Sequence, residues 1–418
     1  MIKEAASIIT CHDCDLTQTM RYSPEKGSVR CSRCAAILRK RQRIKPEKNI
    51  EHTLALVVTA LLLFVIANAF PIIQLKAEGH ELAATLMTCV HFLFTHDMVL
   101  LAGLVFLTCI GAPLIQLTGL LYILLPLHFN HSPRFAPPIY HLVRNIGFWS
   151  MLEVLMLGIL VSIVKLSALA TVIPGIALWT FGLLIFIMAA IVNDLDSDIL
   201  WRRIHPSIQN ENINISSTEH ALINCHHCDL LCAVSRQDNT QCPRCNSRLY
   251  FRKPHSQSRS AALLLAAMIM FIPANVLPVM VITSLGKTEG DTIMSGVIHL
   301  AMYGDWPLAF ILFVASICVP LLKLLILSML LITVHIKSQW RPKERTRLYR
   351  LTEMIGQWSM VDIFVATLMA ALIQIQGLMT IEVGAGAVAF GAVVVLTMLA
   401  AKAFDPRLIW DNKEKSNE

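Results

Sequence analysis

Eight cysteines stand in four CxxC pairs: Cys11 and Cys14 with Cys31 and Cys34, then Cys225 and Cys228 with Cys242 and Cys245. Two such pairs suit one tetrahedral ion, because a two-residue gap lets both sulfurs of a pair turn onto the same metal. The intervening segments, 15–30 and 229–241, are long enough for β-hairpins that bring the pairs together. Each quartet is therefore expected to be a four-cysteine zinc ribbon, with iron as the alternative ion. Four protein ligands leave no open position, so the metal is expected to be structural rather than catalytic. A redox reading needs one CxxC in a βαβ context, and none is evident. His12, His226 and His227 fall inside the pairs, but each quartet is already complete without them. Cys89, Cys109 and Cys318 lie in or beside apolar stretches and read as small packing residues.

A second set of polar residues interrupts apolar stretches: Asn68, Gln116 and Glu153, then Asn275, Lys323 and Asp362. They match across an internal repeat, for the cysteines and the apolar blocks both return at an offset of about 207–214 residues. An ionisable group there costs at least a few kcal/mol, so it must face protein, a partner or a water cavity. A Lys323–Asp362 pair is expected in the second half, and a hydrogen bond between Gln116 and Glu153 in the first. The set reads either as the lining of a site for a lipid headgroup or a proton, or as fasteners between helices. Trp149 and Trp358 read as interfacial anchors. Asp196 and Asp405, each followed by an apolar run to a tryptophan (Trp410 in the second copy), read as caps of helices lying on the inner face.

These residues must be carried by membrane helices. Of 418 residues, 55% are hydrophobic and only 15% charged, and the apolar ones fall in blocks long enough to cross a bilayer. The first half offers spans at 53–73, 98–125, 145–166 and 172–192; the second offers 261–283, 308–335, 355–378 and 381–401. Lys and Arg cluster before the first span, between spans two and three, four and five, and six and seven, whereas the opposite loops hold only Lys76 and Lys287. That bias places both termini and both ribbons in the cytosol. The basic run at 39–48 reads as an anchor against anionic lipid rather than a nucleic-acid patch. The start of the chain lacks the short apolar core and cleavage site of a signal peptide. The expected class is an all-α polytopic membrane protein of eight transmembrane helices in two tandem four-helix modules. The parts are a ribbon and anchor (1–48), a first module (49–205), a second ribbon (206–258), a second module (259–411) and a polar tail (412–418). No Walker A loop, GxSxG elbow or HExxH helix is present, so no enzyme activity is expected.

The doubled ribbon, the Pro-Ala-Asn-Val-Leu-Pro run at 273–278, Trp358-Ser359-Met360-Val361-Asp362 and Phe404-Asp405-Pro406-Arg407-Leu408-Ile409-Trp410 together resemble the paraquat-inducible protein A family. Within it the chain looks nearer the PqiA than the LetA branch. The resemblance implies a bacterial inner-membrane protein that works beside a membrane-anchored MCE-domain protein forming a periplasmic tunnel. An outer-membrane lipoprotein joins in the PqiA branch. It implies lipid traffic between the two membranes, with the present component passing phospholipid to or from the tunnel and supporting membrane integrity. The first half departs from the second at Leu195-Asp196-Ser197-Asp198 and at Gln116, which leaves open whether both halves act on substrate. Two other readings stand beside it: a membrane redox protein using the CxxC thiols, and a scaffold that anchors the tunnel without transporting.

Overall fold

The computed structural model describes residues 6–21, 29–39, 46–77, 80–167, 171–195, 197–204, 220–235, 241–284, 287–302, 304, 306–356, 358–372, 374–375 and 379–411. Asp196, most of the basic run at 39–48 and the tail at 412–418 lie outside them. Among the described residues, eight helices are long and apolar enough to cross a membrane: Ile50–Ala69, Val99–His128, Ala136–Val164, Ile176–Asp194, Ser256–Val276, Ala309–His335, Pro342–Leu372 and Ala385–Ala403. Most are apolar along their length, as a lipid-embedded bundle requires, whereas the third span of each module opens with a helix that carries charged residues, Ala136–Gly147 and Pro342–Ile355. The chain is a multi-pass membrane protein built as two tandem four-helix modules, each preceded by short hairpins that carry a cluster of four cysteines. The first span packs on the fourth and the fifth on the eighth, so each module closes its first helix against its last.

Several predicted helix ends are strands. Pro71 and Pro278 cannot continue a helix, and the chain beyond them extends. Ile73–Ala77 pairs with His80–Ala84 and with Thr171–Pro174 in a three-stranded sheet. Met280–Ser284 pairs with Lys287–Asp291 and with Met379–Val383, and Gln374–Ile375 completes a four-stranded sheet. The connection between the last two spans of each module is thus clamped by a strand that returns to the module's first loop. A short apolar helix follows each sheet hairpin, Leu86–Thr95 and Ile293–Met302. Both sheets lie at the ends of the spans away from the ribbons.

The second span of each module carries a π-helical turn, Leu107–Gly111 and Val314–Cys318, just before Pro113 and Pro320. The wider turn accommodates a proline that cannot donate to the helix ladder. The third spans are broken. Helix Ala136–Gly147 stops and Leu152–Ser167 restarts; Pro342–Ile355 stops and Val361–Leu372 restarts after a short 3-10 turn. At the first break the Met151 N–H donates to the Thr108 carbonyl in the π turn, 3.3 Å away, so the two irregularities satisfy each other. The modules meet along these restarted helices. Gly158 permits the approach: a Cβ there would lie 2.9 Å from the Cβ of Phe364.

Candidate metal centres and polar cavity

Every CxxC pair closes in the same way. The residue after its second cysteine (Asp15, Ala35, Asp229 or Asn246) takes a left-handed backbone with φ between 57° and 60°. Its N–H returns to the carbonyl of the first cysteine at 2.8–3.0 Å. Asp and Asn adopt that conformation readily, whereas Ala35 is strained there. The turns aim eight buried sulfurs into two groups. Within each group the ligand atoms lie within 4.8 Å of one another, and the Cys11–Cys34, Cys14–Cys31, Cys225–Cys245 and Cys228–Cys242 sulfurs are 3.5 Å apart. A tetrahedral ion with sulfurs at about 2.3 Å separates them by roughly 3.8 Å, so each donor set fits such an ion. His12 and His226 are exposed and His227 is half-buried; none joins a quartet.

The ribbons dock crosswise. The first ribbon rests on the second module: its cysteines and Ala36 share a core with Ile326, Leu330, Val334, Tyr349, Phe404 and Trp410. Arg350 Nε donates to Asp13 Oδ2 at 2.6 Å and its Nη1 to the Cys34 carbonyl at 3.2 Å, while the Arg33 guanidinium lies over the Trp410 ring at 4.7 Å. The second ribbon rests on the first module, packing Leu230 and Leu249 into the core that holds Tyr140 and Trp201. Arg144 Nη1 donates to the His227 carbonyl at 2.6 Å, and the His141 and His227 rings lie with centroids 4.2 Å apart, tilted by 32°. Burial pushes the His227 imidazole down to about 4, helped by the neighbouring His141 and Arg144. Between the ribbons, Arg252 bonds both Asp15 and Asp411.

Asp405 caps the turn Pro406–Ile409, as expected, accepting from the Arg407 N–H at 3.1 Å. That turn is buried rather than spread on a surface, because Asp405 also holds the Arg407 guanidinium with both oxygens and accepts from the Lys253 N–H. Burial works to raise the Asp405 pKa, but the Arg407 hydrogen bonds and charge outweigh it and hold the carboxyl at about 2. The helix after Asp196 runs Ser197–Ile204 and buries Trp201.

Among the expected membrane polar residues, Glu153 and Asp362 fall in the first turn of the restarted helices, not one or two turns along an unbroken span. A carboxylate there faces the open N–H groups of the new helix end, which favour negative charge. Gln116, Ser150, Glu153 and Asn193 line one cavity of about 310 Å³, floored by Ile185 and Met188. It lies in the ribbon-side half of the bundle, because Asn193 is near the end of the fourth span. Gln116 is 8% exposed, and its Oε1 has no hydrogen-bond partner among the described residues. Lys323 is buried, and its Nζ donates to the Gly356 carbonyl at 3.1 Å, in place of the expected pair with half-buried Asp362. Asn68 and Asn275 each bond back to the carbonyl four residues earlier, Phe64 and Phe271, at 2.8 Å. Trp149 is half-buried and Trp358 exposed.

The sequence reading missed Arg350, Arg144, Arg252 and His141. The signal was present: Arg350 and His141 occupy matched positions of the repeat, one residue after Tyr349 and Tyr140. The paraquat-inducible protein A family model matches residues 50–205 and 257–414. The chain belongs to this family. It is 31% identical over 417 residues to the intermembrane transport protein PqiA of Escherichia coli strain K12, covering 99% of this chain and 97% of the relative. It is 30% identical over 407 residues to the lipophilic envelope-spanning tunnel protein A of the same strain, covering 97% and 92%. A probable intermembrane transport protein of Haemophilus influenzae is 28% identical over 408 residues, covering 96% and 95%. No solved structure gives a significant match.

Proposed function

We propose that this chain is the inner-membrane component of a trans-envelope lipid transport pathway. The ribbons face the cytosol, and the sheets face the periplasm, where lipid passes to or from an MCE-domain tunnel. The observation that carries the reading is the 310 Å³ cavity at the break of the third span, in a chain whose full-length relatives are named as intermembrane transport and envelope-spanning tunnel proteins. A lipid headgroup needs hydrogen-bonding partners that its tails do not, and a broken helix supplies them at membrane depth. Each ribbon holds one structural zinc, with Cys11, Cys14, Cys31 and Cys34 on the first ion and Cys225, Cys228, Cys242 and Cys245 on the second. The ion crosslinks segments that have little core of their own. The protein works as a transporter component rather than an enzyme.

The test is lipid transfer between vesicles joined by the tunnel partner, with and without this protein in the donor membrane. Transfer that depends on the protein supports the reading. Equal transfer in its absence, with the complex assembled, would identify a scaffold. Elemental analysis should return two zinc ions per chain, and thiols that cycle in a metal-free, active preparation would favour the redox alternative.

A further inference from the structure

The two modules solve the same position differently. In the second, Lys323 reaches the broken third span and its terminal amine donates to the Gly356 carbonyl at 3.1 Å. In the first, the matched residue is Gln116 and the matched glycine is Gly147, whose Cβ position lies 3.7 Å from the Gln116 carboxamide. Glutamine is shorter than lysine and carries no charge. The exchange leaves the 310 Å³ cavity, a nine-tenths buried acceptor in Gln116 Oε1 with no partner among the described residues, and the Glu153 carboxylate on the same wall. Among the described residues, no basic side chain lines this cavity.

We propose that the first-module cavity binds the primary ammonium of an aminophospholipid headgroup drawn from the ribbon-side leaflet, the chemistry that the second module provides internally with Lys323. The inference rests on the lipid-transport reading and adds the headgroup class. An ammonium donates three hydrogen bonds and brings the positive charge that no lining residue supplies opposite the Glu153 carboxylate. A carboxylate repels phosphate, so a phosphoglycerol headgroup, with no cation to offer, is disfavoured at the same point. The volume is that of a small-ligand pocket. Its depth, level with Asn193 near the ribbon-side end of the fourth span, is where a headgroup of that leaflet lies. The second module keeps Ser359 and Asp362 at the matched places but occupies the site with its own amine, so only the first module takes lipid there.

The test uses the full-length protein in nanodiscs of equal phosphatidylethanolamine and phosphatidylglycerol. Lipid retained after transfer to detergent is quantified by native mass spectrometry. Retention of phosphatidylethanolamine should exceed that of phosphatidylglycerol roughly tenfold, the scale of one or two charge-assisted hydrogen bonds. Gln116→Lys, which gives the first module the second module's residue, should abolish the excess while the protein elutes as folded. Glu153→Gln, at an exposed position, should reduce it by a similar factor. Equal retention of the two lipids by the unaltered protein, or an excess that survives Gln116→Lys, overturns the headgroup assignment and leaves lipid transport standing. Retention of neither lipid overturns both. Binding of soluble ethanolamine with no lipid retained would assign the cavity to a free amine and overturn the lipid source.

Discussion

The first ribbon meets the second module through an ion pair, Arg350 with Asp13, reinforced by a bond to the Cys34 carbonyl. At the matched place the second ribbon meets the first module through the paired, tilted rings of His141 and His227. Asp13 and His227 hold the same place in their CxxC pairs, and Arg350 and His141 the same place on their helices. The backbone turns are alike and the docking is alike; the contact chemistry is not. The geometry of this exchange therefore resides in the knuckle turns and the apolar seat, and the side chains across the seam can differ so long as they complement each other.

The comparison is broken most severely by removing metal from one side. Cys242→Ser should release the second ribbon alone, since structural zinc binding is on the order of 10 kcal/mol. Protein abundance should fall sharply, and metal content should drop from two ions to one in whatever folds. Next comes the seam. Arg350→Ala leaves Asp13 at 7% exposure without its guanidinium, at a cost of roughly 3 kcal/mol. The first ribbon should become sensitive to protease before the bundle melts. His141→Ala removes one ring of a half-buried pair and should cost only about 1 kcal/mol by thermal denaturation. Similar losses in the two variants would mean that the apolar seat alone holds both ribbons.

Acid sharpens the contrast on the second module. The Asp405 carboxyl sits at about 2 when folded, against an ordinary value of 3.8. A depressed acid stabilises above its unfolded pKa, and that stability is lost as pH falls through the folded value. About 2 kcal/mol should disappear between roughly pH 4 and pH 2 in detergent-solubilised protein. Asp405→Asn should remove that step from the pH–stability curve. An effect as small as that of His141→Ala is expected at the seam between modules. Gly158→Ala crowds the Phe364 Cβ and should cost about 1 kcal/mol, read as a lower melting temperature with both metals retained.

The two cysteine quartets were legible, because CxxC spacing turns two sulfurs toward one point, and the structure gathers the four sulfurs of each quartet within 4.8 Å of one another. The eight spans were legible from apolar length. Their ends were not: Ile73–Ala77 and Met379–Val383 are five-residue segments beside apolar spans, with Lys76 and Glu382 inside them, and their partners across the sheet are what make them strands. The breaks before Glu153 and Asp362 were hidden for a related reason. Trp-Ser-Met reads as helix until a carbonyl from the neighbouring π turn takes the Met151 N–H. The expected hydrogen bond between Gln116 and Glu153 does not form among the described residues, and the two side chains instead line one cavity. The repeat could not show that Lys323 would choose a backbone carbonyl. Crosswise docking left no trace in linear order, since each ribbon precedes the module on which it does not sit.

That last arrangement bears on biosynthesis. The ribosome delivers the amino-terminal knuckles first and the helices that receive them last. Until Phe404 and Trp410 have emerged, the seat of the first ribbon is incomplete, though Ile326, Leu330, Val334 and Tyr349 are already made. The first ribbon can be sheltered only after the second module has been made, so the topology ties the folding of the two ends of this arrangement together.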